Sequence, residues 1–256
     1  MHHNIDPLIF QLGPLQLRWY GLFYMSGFVI TYFLTKKFIK EKYFSYSLEK
    51  LDSLILYILF GTILGARLLY VFVYDDILEH LQHPWTIFAI WKGGLSFHGS
   101  VIGLCLVMFF ISKKEKFSFF HISDVICLCA PLGLGLGRIG NFMNGELFGR
   151  ETTVPWAIVF PMGGGNPRHP SQLYESFFEG FLLFTILWIL RKRVKKEGTI
   201  SCLFLILYGV FRFGLEFFRE PDVQMGYYLQ FFTMGQILCI LMILSGFLLL
   251  LVKRKE

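Results

Sequence analysis

The chain has 256 residues; 55% are hydrophobic, 18% are aromatic and only 16% are charged. A soluble domain carries about a quarter charged residues, so this composition excludes a single water-soluble core and points to a polytopic membrane protein. The net charge of +6 raises nucleic-acid binding as a function class, but the order of the basic residues along the chain assigns that charge to topology instead.

Residues 1–19 are short and mixed, with Pro7, Pro14 and a polar start. They lack a charged region followed directly by an apolar core and a cleavage site, so no removable leader is expected. Apolar stretches then predict seven spans: Tyr20–Thr35, Leu51–Val73, Leu95–Ile111, Phe120–Leu136, Leu173–Leu190, Ile200–Phe218 and Phe231–Val252. Acidic Asp75, Asp76 and Glu79 follow the second span, and a polar loop with Arg219, Glu220, Pro221 and Asp222 follows the sixth. The fold class is therefore an all-α polytopic membrane protein, a single transmembrane domain over 1–256. Its small outward-facing part consists of the start of the chain and the Gly- and Pro-rich loop within 137–172.

Basic residues cluster at every second connection. Lys36, Lys37, Lys40 and Lys42 follow the first span, and Lys113, Lys114 and Lys116 follow the third. Arg191, Lys192, Arg193, Lys195 and Lys196 follow the fifth, and Lys253, Arg254 and Lys255 follow the seventh. These four clusters hold 15 of the 24 Lys and Arg residues. Positive residues mark cytoplasmic loops, so the N-terminus is expected outside, the C-terminus in the cytoplasm, and no nucleic-acid partner is implied. Trp19, Trp85, Trp91 and Trp156 fall near outer edges, as an interfacial aromatic belt would.

Small-residue spacings such as Gly61–Gly65 and Gly133–Gly137 let helices approach closely and are read as packing. The five cysteines lie in apolar runs with no zinc-like or disulfide spacing, and are read as small buried residues. Any reacting thiol would then belong to a substrate. His2, His3 and His121 have no acidic or cysteine partner at ligand spacing, and His80 and His83 read as a solvated face, so no metal is expected.

The most polar stretch at bilayer depth is Gly137–Gly149, which reads Gly-Arg-Ile-Gly-Asn-Phe-Met-Asn-Gly-Glu-Leu-Phe-Gly. Polar groups there are expensive and mark a working site, although Arg138 and Glu146 would also suit a structural ion pair between helix end and loop. Gly135, Gly137 and Gly140 match a dinucleotide-binding pattern, but no strand precedes them, so that reading is rejected. The residues Gly137, Arg138, Gly140, Asn141, Phe142, Asn144, Glu146 and Gly149 resemble the signature of bacterial phosphatidylglycerol–prolipoprotein diacylglyceryl transferases. The resemblance runs from Arg18-Trp-Tyr-Gly21 to Arg219-Glu-Pro-Asp222.

Members of that family move the diacylglyceryl group of phosphatidylglycerol to the lipobox cysteine of a prolipoprotein in the bacterial inner membrane, without a cofactor. The partners implied are phosphatidylglycerol, the prolipoprotein signal peptide and membrane lipids. Arginine presents a fixed fork of donors that suits a phosphate, so Arg138 and Arg212, on different spans, are expected to clamp the lipid head. His98, in the run Gly93-Gly-Leu-Ser-Phe-His-Gly99, aligns with a family His-Gly-Gly motif, with Ser100 in place of the second glycine, and is the expected general base. Asn141, Asn144 and Glu146 would hold the arginine and head-group hydroxyls, and Gly149 would give the loop its turn. Tyr20 and Tyr208 would contact lipid or peptide. Tyr208, Arg212 and Glu216 are spaced i,i+4 on one helix face, so Glu216 is expected to pair with Arg212.

The competing class is a transporter or flippase for an anionic lipid or solute. It predicts an internal repeat with matched broken helices, and no second copy of Gly137–Gly149 exists in the chain.

Overall fold

The computed structural model describes residues 1–13, 15–75, 77–220 and 232–255. Pro14, Asp76, Pro221, Asp222 and Phe231, named above, lie outside them. The described chain is mostly helical. Five helices are long and apolar enough to cross a membrane: Leu48–Tyr74, Phe97–Glu115, Phe119–Asn144, Ser171–Leu190 and Met234–Lys253. Backbone polar groups cannot be left bare in hydrocarbon, and a helix satisfies them internally.

The chain divides into two compact units, residues 1–34 with 124–256, and residues 35–123. The first unit opens with an antiparallel hairpin, β1 (Leu8–Leu12) against β2 (Leu15–Arg18), where the sequence predicts no regular element. Helix α1 (Trp19–Lys40) starts at its end. The second unit contains α2 (Leu51–Leu69), a π-helical turn (Tyr70–Tyr74), the short α3 (Ile77–Gln82) and α4 (Phe97–Glu115). Helix α5 (Phe119–Asn144) brings the chain back to the first unit. A small hairpin, β3 (Ile158–Val159) and β4 (Pro167–Arg168), follows. Then come α6 (Ser171–Glu175), a π-helical stretch (Ser176–Leu182), α7 (Leu183–Leu190), α8 (Thr199–Leu215) and α9 (Met234–Lys255).

Glycines set the helix separations, as the spacings suggested. In the second unit, α2 and α4 cross at Gly61, Gly65, Gly99 and Gly103: a Cβ on Gly99 would overlap the Gly65 carbonyl oxygen, and one on Gly103 that of Gly61. In the first unit α5 meets α1, where a Cβ on Gly27 would lie 3.0 Å from Gly133 Cα. It also meets the Ser171–Leu190 helix, where a Cβ on Gly135 would lie 3.0 Å from Gly180 Cα. Gly137 has nothing within 4 Å, so only one member of the Gly133–Gly137 pair serves packing. Of the five cysteines, all free, Cys105 is exposed rather than buried.

Two buried polar groups fix the irregular segments. In the second unit Arg67 donates to the carbonyls of Ile87 (2.8 Å), Gly93 (2.8 Å), Gly94 (3.1 Å) and Thr86 (2.7 Å), which ties down the connection between α2 and α4. His80, expected on a solvated face, is buried between Asp75 Oδ2 (3.0 Å) and Thr86 Oγ1 (2.7 Å). The helical spacing to His83 suggested one wet face, but Asp75 and Thr86 reach His80 from outside α3.

In the first unit Asp124 of α5 accepts from Gly198 N (2.7 Å), Ser201 N (2.8 Å) and Ser201 Oγ (2.6 Å). A buried carboxylate thus caps the N-terminus of α8, satisfying orphan donors and opposing the positive end of the helix dipole. Asp124→Ala should lower stability by about 1–3 kcal/mol, the range for exposing buried donors, and Asp124→Asn by less. Thermal unfolding of the two purified variants in the same detergent checks this; equal midpoints for Asp124→Ala and the parent would refute the cap.

Candidate functional site

Arg138 lies two turns before the end of α5 and Arg212 one turn before the end of α8. Both converge on one atom. Arg138 Nε lies 2.7 Å from Glu175 Oε2, and Arg212 Nη1 lies 3.0 Å from the same oxygen. Arg212 also reaches Glu179 Oε1 at 3.4 Å and Glu216 Oε2 at 3.0 Å. The side chains of Arg138 and Arg212 are 22% and 13% exposed, and that of Glu175 only 1%. The expected Arg212–Glu216 pair is present. The contemplated Arg138–Glu146 pair is replaced by Arg138–Glu175.

Glu175 and Glu179 were not singled out from the sequence. They stand four residues apart inside an apolar helix, and that signal was available: an acid at membrane depth is a site hypothesis by default. Glu216, the C-cap of α8, is further held by Thr233 Oγ1, which donates to its Oε1 at 3.0 Å. Gly235 at the start of α9 leaves room for it: a Cβ there would lie 2.8 Å from that oxygen.

The signature turns where α5 ends. Gly145 (φ 67°) and Leu147 (φ 54°) are left-handed, and the turn is closed by Gly145 N→Phe142 O (2.9 Å) and Glu146 N→Asn141 O (3.1 Å). Leu147 is a non-glycine residue in a sparsely populated region. Asn141 and Asn144 both donate to Glu146 Oε1, at 3.0 and 3.1 Å, so the three polar signature residues form one cluster. Gln172, 1% exposed, donates to the Glu146 carbonyl at 2.7 Å.

Gly149 does not make the turn, contrary to expectation, because Gly145 and Leu147 do. Its own role is close approach. Gly149 N donates to His169 O (2.9 Å), and the next residue, Arg150 N, donates to Phe218 O (2.9 Å). A Cβ on Gly149 would overlap the Phe218 carbonyl oxygen and lie 2.8 Å from His169 Cβ. Three chain segments therefore cross where only glycine fits. Arg168 seals the crossing, donating to Gly149 O at 3.3 Å and pairing with Glu220 at 2.5 Å and Glu151 at 3.3 Å. Burial lowers the pKa of the His169 imidazole.

Tyr20, the second residue of α1, packs against α5 at Gly140, where a Cβ would lie 3.0 Å from Tyr20 Cα. The charges of Glu146 and Arg138 act on its phenol. Tyr208 stacks on Phe204 (centroids 5.6 Å apart), and Glu179, Arg212, Arg138 and Glu175 act on its hydroxyl. Arg138, Arg212, Asn141, Asn144, Glu146, Gly149, Tyr20 and Tyr208 thus all belong to the first unit.

His98 belongs to the second unit. It is exposed in the first turn of α4, with its ring edge-on to Phe97 (5.9 Å). Of the flanking glycines, Gly99 packs on α2, while Gly93 and Gly94 have positive φ. Ser96 caps α4 (Gly99 N→Ser96 Oγ, 3.3 Å), and Ser100 N bonds to Ser96 O (3.0 Å), so the serine at that position leaves the helix regular.

Comparison with known proteins bears on the whole chain. The family model described as prolipoprotein diacylglyceryl transferase matches residues 7–252. A phosphatidylglycerol–prolipoprotein diacylglyceryl transferase of Desulfotalea psychrophila is 50% identical over 248 residues, 94% of this chain and 91% of the relative. Those of Nitratidesulfovibrio vulgaris strain DP4 and Geobacter sulfurreducens are 46% and 44% identical, over 96% and 99% of this chain and 94% and 97% of the relatives. With a family match over residues 7–252 and relatives 44–50% identical over nearly the whole chain, the chain belongs to the prolipoprotein diacylglyceryl transferase family.

Proposed function

We propose that this chain transfers the diacylglyceryl group of phosphatidylglycerol to the thiol of a lipobox cysteine in a prolipoprotein. The observation that carries the reading is the meeting of two guanidinium groups, from α5 and α8, on one oxygen of Glu175. That oxygen holds both guanidinium groups aimed at one place, beside which a phosphate oxygen of the lipid would sit. Arg138 and Arg212 are then the phosphate clamp.

In the reaction the substrate thiolate attacks the glycerol carbon that bears the phosphate ester. The carbon–oxygen bond breaks, glycerol phosphate leaves with the electron pair, and a thioether remains. Negative charge grows on the leaving phosphate, so guanidiniums already aimed at it lower the barrier without reorganising. The thiol has a pKa near ~8.5, and a histidine, near ~6.5, suits its deprotonation at working pH; His98 is assigned that role. Asn141, Asn144 and Glu146 orient the head-group hydroxyls, while Tyr20 and Tyr208 line the entry for lipid or peptide.

The same reading sets the protein in the bacterial inner membrane with seven spans, N-terminus outside and C-terminus in the cytoplasm. Support comes from the alternation of basic clusters. The 137–172 region and the start of the chain form the outward part, and lipid enters laterally between spans.

The decisive assay mixes purified protein in phosphatidylglycerol vesicles with a lipobox peptide and follows the diacylglyceryl mass gain on its cysteine. Arg138→Ala and Arg212→Ala should each lower turnover by about 10²–10³-fold, the range for losing one preorganised donor. Arg212→Lys should not restore it, because a point charge lacks the planar fork. Wild-type turnover in either alanine variant would end the clamp assignment. His98→Ala with turnover within a few-fold of the parent would remove that residue as base. Gly149→Ala should cut activity together with about 1–3 kcal/mol of stability, whereas Gly137→Ala, with open space around it, should keep its thermal midpoint; equal midpoints for both variants would refute the crossing.

A further inference from the structure

The arginine site holds more carboxyl groups than guanidinium groups. Arg138 and Arg212 face Glu175, Glu179 and Glu216, all within ion-pair distance. The three carboxylates are 1%, 1% and 7% exposed. A lipid phosphodiester would bring one further negative charge into this enclosed cluster. Buried charges must be paired or neutralised, so a bare exchange of lipid for nothing does not balance.

One carboxylate is placed to give way. Glu175 bridges both arginines, at 2.7 and 3.0 Å. Glu216 is held by Arg212 at 3.0 Å and by the Thr233 hydroxyl. Glu179 has the longest contact with Arg212, 3.4 Å, and its other oxygen, Oε2, is buried with no hydrogen-bond partner among the described residues. Ser176 Oγ, on the same helical stretch, is likewise buried and unpartnered there. Both lie in the π-helical segment Ser176–Leu182, and such departures from α-geometry concentrate at functional sites.

Resting on the transferase reading above, we propose that the anionic lipid enters together with one proton: the phosphate displaces Glu179 from Arg212, and Glu179 carries the proton while the lipid is bound. Glu179 is then a positioning residue that acts through Arg212. The charged and titratable groups that act on it are Arg212 and Tyr208 from α8, Arg138 from α5, Glu175 from its own helix, and Cys239 from α9. Binding consumes a proton and release returns it, so the exchange balances over one turnover. The pairing also selects against neutral lipids, which bring no charge to displace a carboxylate.

The test uses the full chain in neutral-detergent micelles and a short-chain phosphatidylglycerol, with binding followed by calorimetry across pH and in buffers of different ionisation heat. A phosphodiester does not itself titrate in the working range. Proton-coupled binding weakens as pH rises, by at most about tenfold per pH unit for one proton. The parent should show that slope and a matching proton uptake. Glu179→Gln should bind with an affinity independent of pH, and Glu179→Asp should restore the slope. A parent with arginine-dependent binding but no proton uptake overturns the proposal and leaves the transferase reading standing. A slope that persists in Glu179→Gln overturns it too, since another group then takes the proton. Binding unaffected by Arg138→Ala and Arg212→Ala would instead overturn the clamp itself. Should Glu179→Gln fail to fold, the proton uptake of the parent and the slope of Glu179→Asp still decide the matter.

Discussion

One carboxylate oxygen, Glu175 Oε2, organises the first unit. It is almost wholly buried, yet two guanidinium groups from separate helices lie within 3.0 Å of it. Neither an isolated arginine nor an isolated glutamate is stable away from water, because the desolvation cost of each is several kcal/mol. Together they are tolerable, and the arrangement fixes where the arginines point before any ligand arrives. If the pair is the clamp proposed above, it is preorganised: an incoming anion meets charges already in place, which need not be assembled at the moment of reaction.

Helix packing supports that oxygen. Glu175 reaches Arg138 only because the Ser171–Leu190 helix lies close to α5, and closeness comes from Gly135 facing Gly180. In a bilayer, apolar burial does not drive helices together, so small residues and polar contacts must do so. Here both devices act on the same pair of helices within a turn or two of each other. The signature loop adds the third tie. Through Gly149 it hooks onto Phe218 beyond α8 and onto His169 before α6, so the loop that follows Arg138 is fastened to the segments that carry Arg212 and Glu175.

Much of this was legible in the residue order. Arg138 and Arg212 stand out as charges among apolar residues, and Tyr208, Arg212 and Glu216 share a face by spacing alone. Asn141, Asn144 and Glu146 were expected together and are hydrogen-bonded to one another, though they hold each other rather than Arg138. Glu175 and Glu179 escaped because their stretch was taken whole as a span, and its two acids were not weighed as charges at depth. Gly149 was assigned to a turn because glycine has two uses, positive φ and close approach, and only the three-dimensional crossing tells them apart. His80 was misplaced for a related reason: periodicity within α3 gives no information on Asp75 and Thr86, which bury it from outside the helix. The hairpins β1–β2 and β3–β4 are too short for alternation to announce them.

The excess of carboxylates over arginines is best understood as part of the same device. If charge pairing alone were required, Glu175 and one further acid would neutralise Arg138 and Arg212. A third acid makes the resting cluster over-supplied, and in Glu179 the buried Oε2 has neither a hydrogen bond nor an ion pair among the described residues, whereas Oε2 of Glu175 and of Glu216 lies on an arginine. An over-supplied cluster resists opening to water, because no guanidinium is left unpaired, yet it holds one ligand loosely enough to release. On the proposed reading, Arg212, with three carboxylates around it, is the arginine that takes the incoming phosphate, while Arg138 stays fixed to Glu175 and sets the angle of approach.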